Sequence, residues 1–107
     1  MKYIINENKI SGIISKIIKS YYGDIEIAVD KDDDGYIHFF SRKDIDSDGY
    51  PVRIAHRNEY GTLWVKYNFL TYVSDLTNLN RDIISDGIMS YIKDNFGIPI
   101  KQVNVEF

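Results

Sequence analysis

Val52-Arg53-Ile54-Ala55-His56-Arg57-Asn58-Glu59-Tyr60-Gly61-Thr62-Leu63-Trp64-Val65-Lys66-Tyr67 is the stretch that decides how this chain folds. Apolar and polar residues alternate through 52–57, the period of a strand with one face buried, and 62–67 reads as the next strand. Between the two runs lies Asn58-Glu59-Tyr60-Gly61, a turn built from residues that accept tight backbone geometry. Runs joined this closely pair antiparallel. Trp64 is out of phase with Leu63, Val65 and Tyr67, so one of these sets points away from the core.

Reading upstream, Tyr36-Ile37-His38-Phe39-Phe40-Ser41 predicts another strand with aromatics on both faces, and Ile25, Ile27 and Val29 alternate with Glu26 and Ala28 in a first strand. Before it, Ile10, Ile13, Ile14, Ile17, Ile18 and Tyr21 recur at helical spacing. Asn6 or Asn8 suits the start of that helix and Gly23 its end, while Gly12 suggests close packing. A short extra strand over 2–5 fits the apolar residues there. Downstream, Asn68 is expected to cap a helix carrying Phe69, Leu70, Val73 and Leu76. Asn80 is expected to cap a longer one with Ile83, Ile84, Gly87, Ile88, Tyr91 and Ile92 on one face, ended by Gly97 and Pro99. The tail 101–107 alternates strictly, with Val103, Val105 and Phe107 inward, and an ordered strand there must pair within the sheet. The order helix, four strands, two helices, strand predicts an α+β fold. It is a two-layer sandwich in which an antiparallel meander of about four strands and a C-terminal strand carry helices packed on one face. One α+β domain over 1–107 accounts for the whole chain.

The 107 residues, 44% of them hydrophobic, suffice for a single core. A formal net charge of -3 argues against a dedicated nucleic-acid binder, which presents a basic face. Without cysteine there are no disulfides, thiol nucleophiles or zinc–thiolate sites, which fits a reducing compartment. Met1-Lys2-Tyr3-Ile4-Ile5 runs into polar Asn6-Glu7-Asn8-Lys9 rather than a secretory apolar region. No run approaches the roughly 18 apolar residues of a membrane span, so a soluble protein made inside the cell is expected.

Two acidic segments share the pattern D-x-D-x-D-G-Y: Asp30-Lys31-Asp32-Asp33-Asp34-Gly35-Tyr36 and Asp44-Ile45-Asp46-Ser47-Asp48-Gly49-Tyr50. In an EF-hand-type loop, oxygens at positions 1, 3 and 5 converge on calcium and glycine at position 6 allows the bend. Asp30, Asp32 and Asp34, and again Asp44, Asp46 and Asp48, meet that spacing and are the candidate metal ligands, with calcium the cofactor they suit. The bidentate glutamate of position 12 is replaced by Ser41 in one copy and Ala55 in the other. Calcium affinity would then be weak unless Asp33, Asp24 or Glu26 contributes. The competing reading is simpler: Asp-Gly is a favoured turn pair, and aspartates keep a loop tip solvated.

His38 and His56 fall on neighbouring strands, where two imidazoles near aspartates suit zinc or nickel, although more often they belong to a polar or aromatic face. No nucleophile elbow or phosphate-cradling glycine loop occurs, so no enzyme is expected. Aromatics crowd the central third, and one core cannot receive them all. An aromatic sheet face open to a protein partner is expected around Tyr36, Phe39, Trp64 and Arg53, the alternative being a sheet covered by its own loops. Arg42, Arg53, Arg57 and Lys66 would suit stacking with single-stranded nucleic acid, but the aspartates beside them repel phosphate.

The start Met1-Lys2-Tyr3-Ile4-Ile5-Asn6-Glu7-Asn8-Lys9 before an isoleucine-rich helix and Tyr22-Gly23-Asp24, the strand Leu63-Trp64-Val65, and the closing Asn95-Phe96-Gly97-Ile98-Pro99-Ile100-Lys101-Gln102-Val103 together resemble small proteins of tailed bacteriophages. The resemblance spans about half the chain and carries no catalytic motif. It implies a viral origin, in the host cytoplasm or the virion. The functional expectation is a non-enzymatic phage-type protein acting through protein–protein contact, as a minor virion component or an infection accessory factor, with a phage or host protein as partner and oligomerisation open. A calcium-stabilised binding module and an acidic inhibitor of a host defence protein that mimics nucleic acid are the alternatives.

Overall fold

The computed structural model describes residues 7–29 and 35–107, in the order α1 (Glu7–Tyr22), β1 (Ile25–Val29), β2 (Ile37–Ile45), β3 (Pro51–Arg57), β4 (Thr62–Lys66), α2 (Tyr67–Thr77), α3 (Arg81–Phe96) and β5 (Gln102–Glu106). The suggested strand over 2–5 and the Asn6 cap lie outside these residues, as do Asp30, Asp32 and Asp34. The five strands form one sheet in the order β1-β2-β3-β4-β5. The first four make the antiparallel meander that short connections require. β5 lies parallel to β4, because α2 and α3 carry the chain back across the sheet before it pairs. All three helices pack on one side, giving the two-layer α+β sandwich. No helix of the described residues is long and apolar enough to cross a membrane.

The core forms where helix stripes meet one sheet face: Phe39, Leu63 and Val65 from the strands, Ile14 and Ile18 from α1, Val73 from α2, Ile84 and Ile88 from α3. α1 and α3 approach so closely at Gly87 that a Cβ there would lie 2.6 Å from Ile14 Cγ1. Gly87, not Gly12, is therefore the close-packing glycine; Gly12 meets open space. Ser41 is fully buried yet satisfied, its hydroxyl donating to the Tyr22 carbonyl at 2.5 Å and tying β2 to the end of α1.

Helix ends follow the predicted chemistry in part. Asn80 Oδ1 accepts from the Ile83 N–H at 3.0 Å, and Gly23 and Gly97 close α1 and α3 with positive φ. Asn68 is not a cap: α2 starts one residue earlier, at Tyr67, behind Lys66, whose side chain makes no capping bond. Asn78 ends α2 in the left-handed region (φ 61), its N–H donating to Ser74 O.

Three side chains predicted inward face out. Tyr21 lies at the surface against Tyr72 while Tyr22 is buried, because the buried stripe 14-18-22 follows the helical period one position further round. Leu76 is exposed. Phe107 follows the last paired residue and stacks on Tyr67 outside the core.

The run 52–57 does not alternate cleanly. Phe39 pairs with Ala55 but Phe40 pairs with Arg53, so Ile54 is the extra residue of a β-bulge. Ile54 and Ala55 are consequently both buried on the helix side, while Arg53 and His56 both reach the other side. The bulge thereby brings Arg53 onto the face described next.

Candidate functional site: the open face of the sheet

With every helix on one side, the other side of the sheet has no layer over it among the described residues. Strand phase decides what it displays. Glu26 and Ala28, His38 and Phe40, Arg53 and His56, Trp64 and Lys66, and Asn104 and Glu106 point there. His38, His56, Trp64 and Asn104 are successive register partners, one row across four strands. Tyr36, just before β2, joins the row. Its ring lies 5.6 Å from His56 with planes 8° apart, and His56 lies 6.3 Å from Trp64 at 16°. His38 links Tyr36 to Phe40 with ring centroids at 5.3 and 6.3 Å. The result is a continuous half-buried aromatic strip, each ring keeping part of its surface in water.

Charges edge this strip. The Glu106 carboxylate sits beneath Lys66 Nζ at 3.3 Å and Arg53 Nη2 at 3.8 Å. Arg53 Nη1 also lies 3.4 Å from His38 Nδ1. His56 Nδ1 and Glu106 Oε2 are each buried without a hydrogen-bond partner, 3.7 Å apart, beyond hydrogen-bonding distance. Burial first and Arg53 second hold the His56 imidazole below its ordinary titration range, against the opposite pull of Glu106, so neutral His56 prevails at neutral pH. Further out, Arg42 pairs with Glu26 at the exposed β1 margin.

Of the four residues predicted for partner binding, Tyr36, Arg53 and Trp64 share this face. Phe39 does not. It is 1% exposed, in the core against Phe96, because β2 turns alternate residues to opposite sides and its neighbours His38 and Phe40 take the open one. Glu106, His56 and Phe40 complete the site. The strict alternation of the tail separates Asn104 and Glu106 from Val103 and Val105, and is the one sequence signal for Glu106.

The second acidic segment forms a hairpin turn. Asp46 Oδ1 accepts from the Asp48 and Tyr50 N–H groups, each at 2.9 Å, Gly49 N–H donates to Asp46 O at 3.0 Å, and Gly49 takes φ 87. The turn at 58–61 repeats this design: Asn58 Oδ1 accepts from Tyr60 and Thr62 N–H groups, each at 3.0 Å, and Gly61 also has φ 87. Asp46 thus uses its carboxylate oxygen as the asparagine uses its amide oxygen, to close a turn. Asp44 is a residue of β2, and Asp48 lies on the exposed tip. Among the described residues no three histidine or acidic side chains converge as a metal site, the His38–His56 pair included.

The chain was compared with protein-family models, with curated proteins and with solved structures, and no match was found in any of the three.

Proposed function

We propose that this chain is a non-enzymatic binding protein that docks a protein partner on the open face of its sheet. The observation that carries the reading is the aromatic strip Tyr36–His56–Trp64 flanked by Arg53 and Lys66 on a face that none of the described helices covers. Tyrosine, tryptophan and arginine are the side chains enriched at the energetic centres of protein interfaces, since they bury large rigid surfaces while keeping a polar end. Glu106 partly neutralises Arg53 and Lys66, which suits a partner of mixed polarity better than a phosphate backbone. The resemblance of the chain ends to small tailed-phage proteins supports a minor virion component or an infection accessory factor as its setting.

The test compares immobilised wild-type protein with Trp64→Ala and Arg53→Glu variants in lysates of phage-infected cells. A protein partner retained by the wild type, lost from both variants and unaffected by nuclease is expected. Retention indifferent to both substitutions, or abolished by nuclease, overturns the reading. Circular dichroism and thermal melting of each variant guard against loss of fold.

A further inference from the structure

β1 ends the sheet order and has β2 on one side only; among the described residues nothing pairs with its other side. The Arg42 N–H donates to Asp24 O at 3.1 Å, which makes Asp24 and Arg42 a hydrogen-bonded pair. In an antiparallel ladder such pairs alternate with pairs that exchange no bonds. Ile25, Ile27 and Val29, opposite Ser41, Phe39 and Ile37, are therefore the residues whose N–H and C=O groups point to the free edge. Their side chains lie on the helix side of the sheet, yet Ile27 and Val29 are 40% and 60% exposed. β1 contains no lysine, no proline and no bulge, three of the devices that keep an edge strand from pairing, and its one charged side chain, Glu26, is paired with Arg42.

We propose that a second copy of this chain adds across this edge, β1 against β1, to form a two-fold dimer with one continuous sheet. The strand is its own complement. Outward-pointing groups meet only if Ile25, Ile27 and Val29 face one another, and full overlap sets Ile27 opposite Ile27 of the second copy, with Ile25 opposite Val29. About six N–H···O bonds then form across the axis. In that register Glu26 faces Ala28, so no like charges meet, whereas a two-residue slip toward the strand start sets Glu26 against Glu26 and is disfavoured. The aliphatic side chains of both copies close over one another on the helix side, removing the exposed surface of Ile27 and Val29. A five-residue strand and its flanks make a small interface, so the dimer is dissociable and separates on dilution.

Sedimentation velocity across a dilution series of the full chain tests this. The expected result is a dimer at high concentration for the wild type and a monomer at every concentration for Ile27→Lys, which brings two ammonium groups together at the axis. Trp64→Ala, on the other side of the sheet, should dimerise as the wild type does. Should Ile27→Lys fail to fold, hydrogen exchange of the wild type decides: the Ile25, Ile27 and Val29 amides become protected as concentration rises. A wild type that stays monomeric, a folded Ile27→Lys that still dimerises, or edge amides whose exchange ignores concentration overturns the proposal.

Discussion

At the scale of single residues, burial acts on His56 and hydrogen bonding on Asp46. Burial and Arg53 lower the His56 pKa in the fold, whereas an unfolded histidine titrates near its ordinary value of about 6.5. The unfolded chain therefore binds this proton more readily. The His56 contribution to stability is complete above pH about 6.5 and is lost as pH falls through that value toward the lower folded one. Thermal melts at pH about 7.5 and about 5 should show a smaller acid-induced fall in Tm for His56→Gln than for wild type; equal falls would contradict the assignment. At Asp46, two backbone N–H groups depend on one carboxylate oxygen. Asp46→Ala should cost about 1–2 kcal/mol in denaturant unfolding, and Asp46→Asn much less, since Asn58 performs the same task with an amide. With that oxygen already occupied by the turn, millimolar calcium should change the Tm of wild type and Asp46→Asn alike. A calcium-dependent rise confined to wild type would support the ligand reading of this loop.

At the scale of elements, the α1–α3 contact depends on one missing side chain. Gly87→Ala places a methyl group 2.6 Å from Ile14 Cγ1, and overpacking of this kind costs about 1–3 kcal/mol. Shortening the neighbour by Ile14→Ala opens the space, so the double variant should be less destabilised than the sum of the two single changes. Additive costs, read from denaturation midpoints, would mean the two helices part to absorb the methyl. The helices and strands themselves were legible because period and punctuation agree: isoleucines at helical spacing ended by Gly23, alternating runs joined by Asn58 to Gly61. What alternation could not reveal is a bulge, since one extra residue at Ile54 leaves the letters of 52–57 unchanged and alters only which side they face. Phase separates Trp64 from Leu63 and Val65, but aromatics on both sides of β2 leave open which of Tyr36, Phe39 and Phe40 the helices cover, and it is Phe39 that goes to the core. Glu106 lay beyond reach for another reason: its place among Arg53, His56 and Lys66 exists only once β5 docks beside β4, 40 residues away from Lys66 in sequence.

That docking ties the end of the described chain back into the sheet. α2 and α3 leave the sheet at Lys66 and re-enter it at Gln102, in the adjacent strand, so both helices are clamped between two paired strands. β5 also gives each layer something: Val103 and Val105 pack against the core, Glu106 holds Arg53 and Lys66 on the open face, and the Gln102 side chain donates to Thr62 Oγ1 at 3.1 Å. Removing residues 101–107 should therefore do more than shorten the chain. Two half-buried valines contribute up to about 1.5 kcal/mol each, and the backbone groups of β4 that β5 satisfies would be left without partners, at about 1–3 kcal/mol for each that stays buried. Against a net stability of about 5–15 kcal/mol for a domain of this kind, the sum is of comparable size. Urea titrations followed by circular dichroism should give a shallow, non-sigmoidal curve for the chain lacking 101–107. Deletion of Phe107 alone, 95% exposed and outside the ladder, should leave the midpoint almost unchanged. A truncated chain that still melts sharply within a few degrees of the full one would mean that the rest of the chain holds the fold by itself, with β5 an attachment rather than a part of the core.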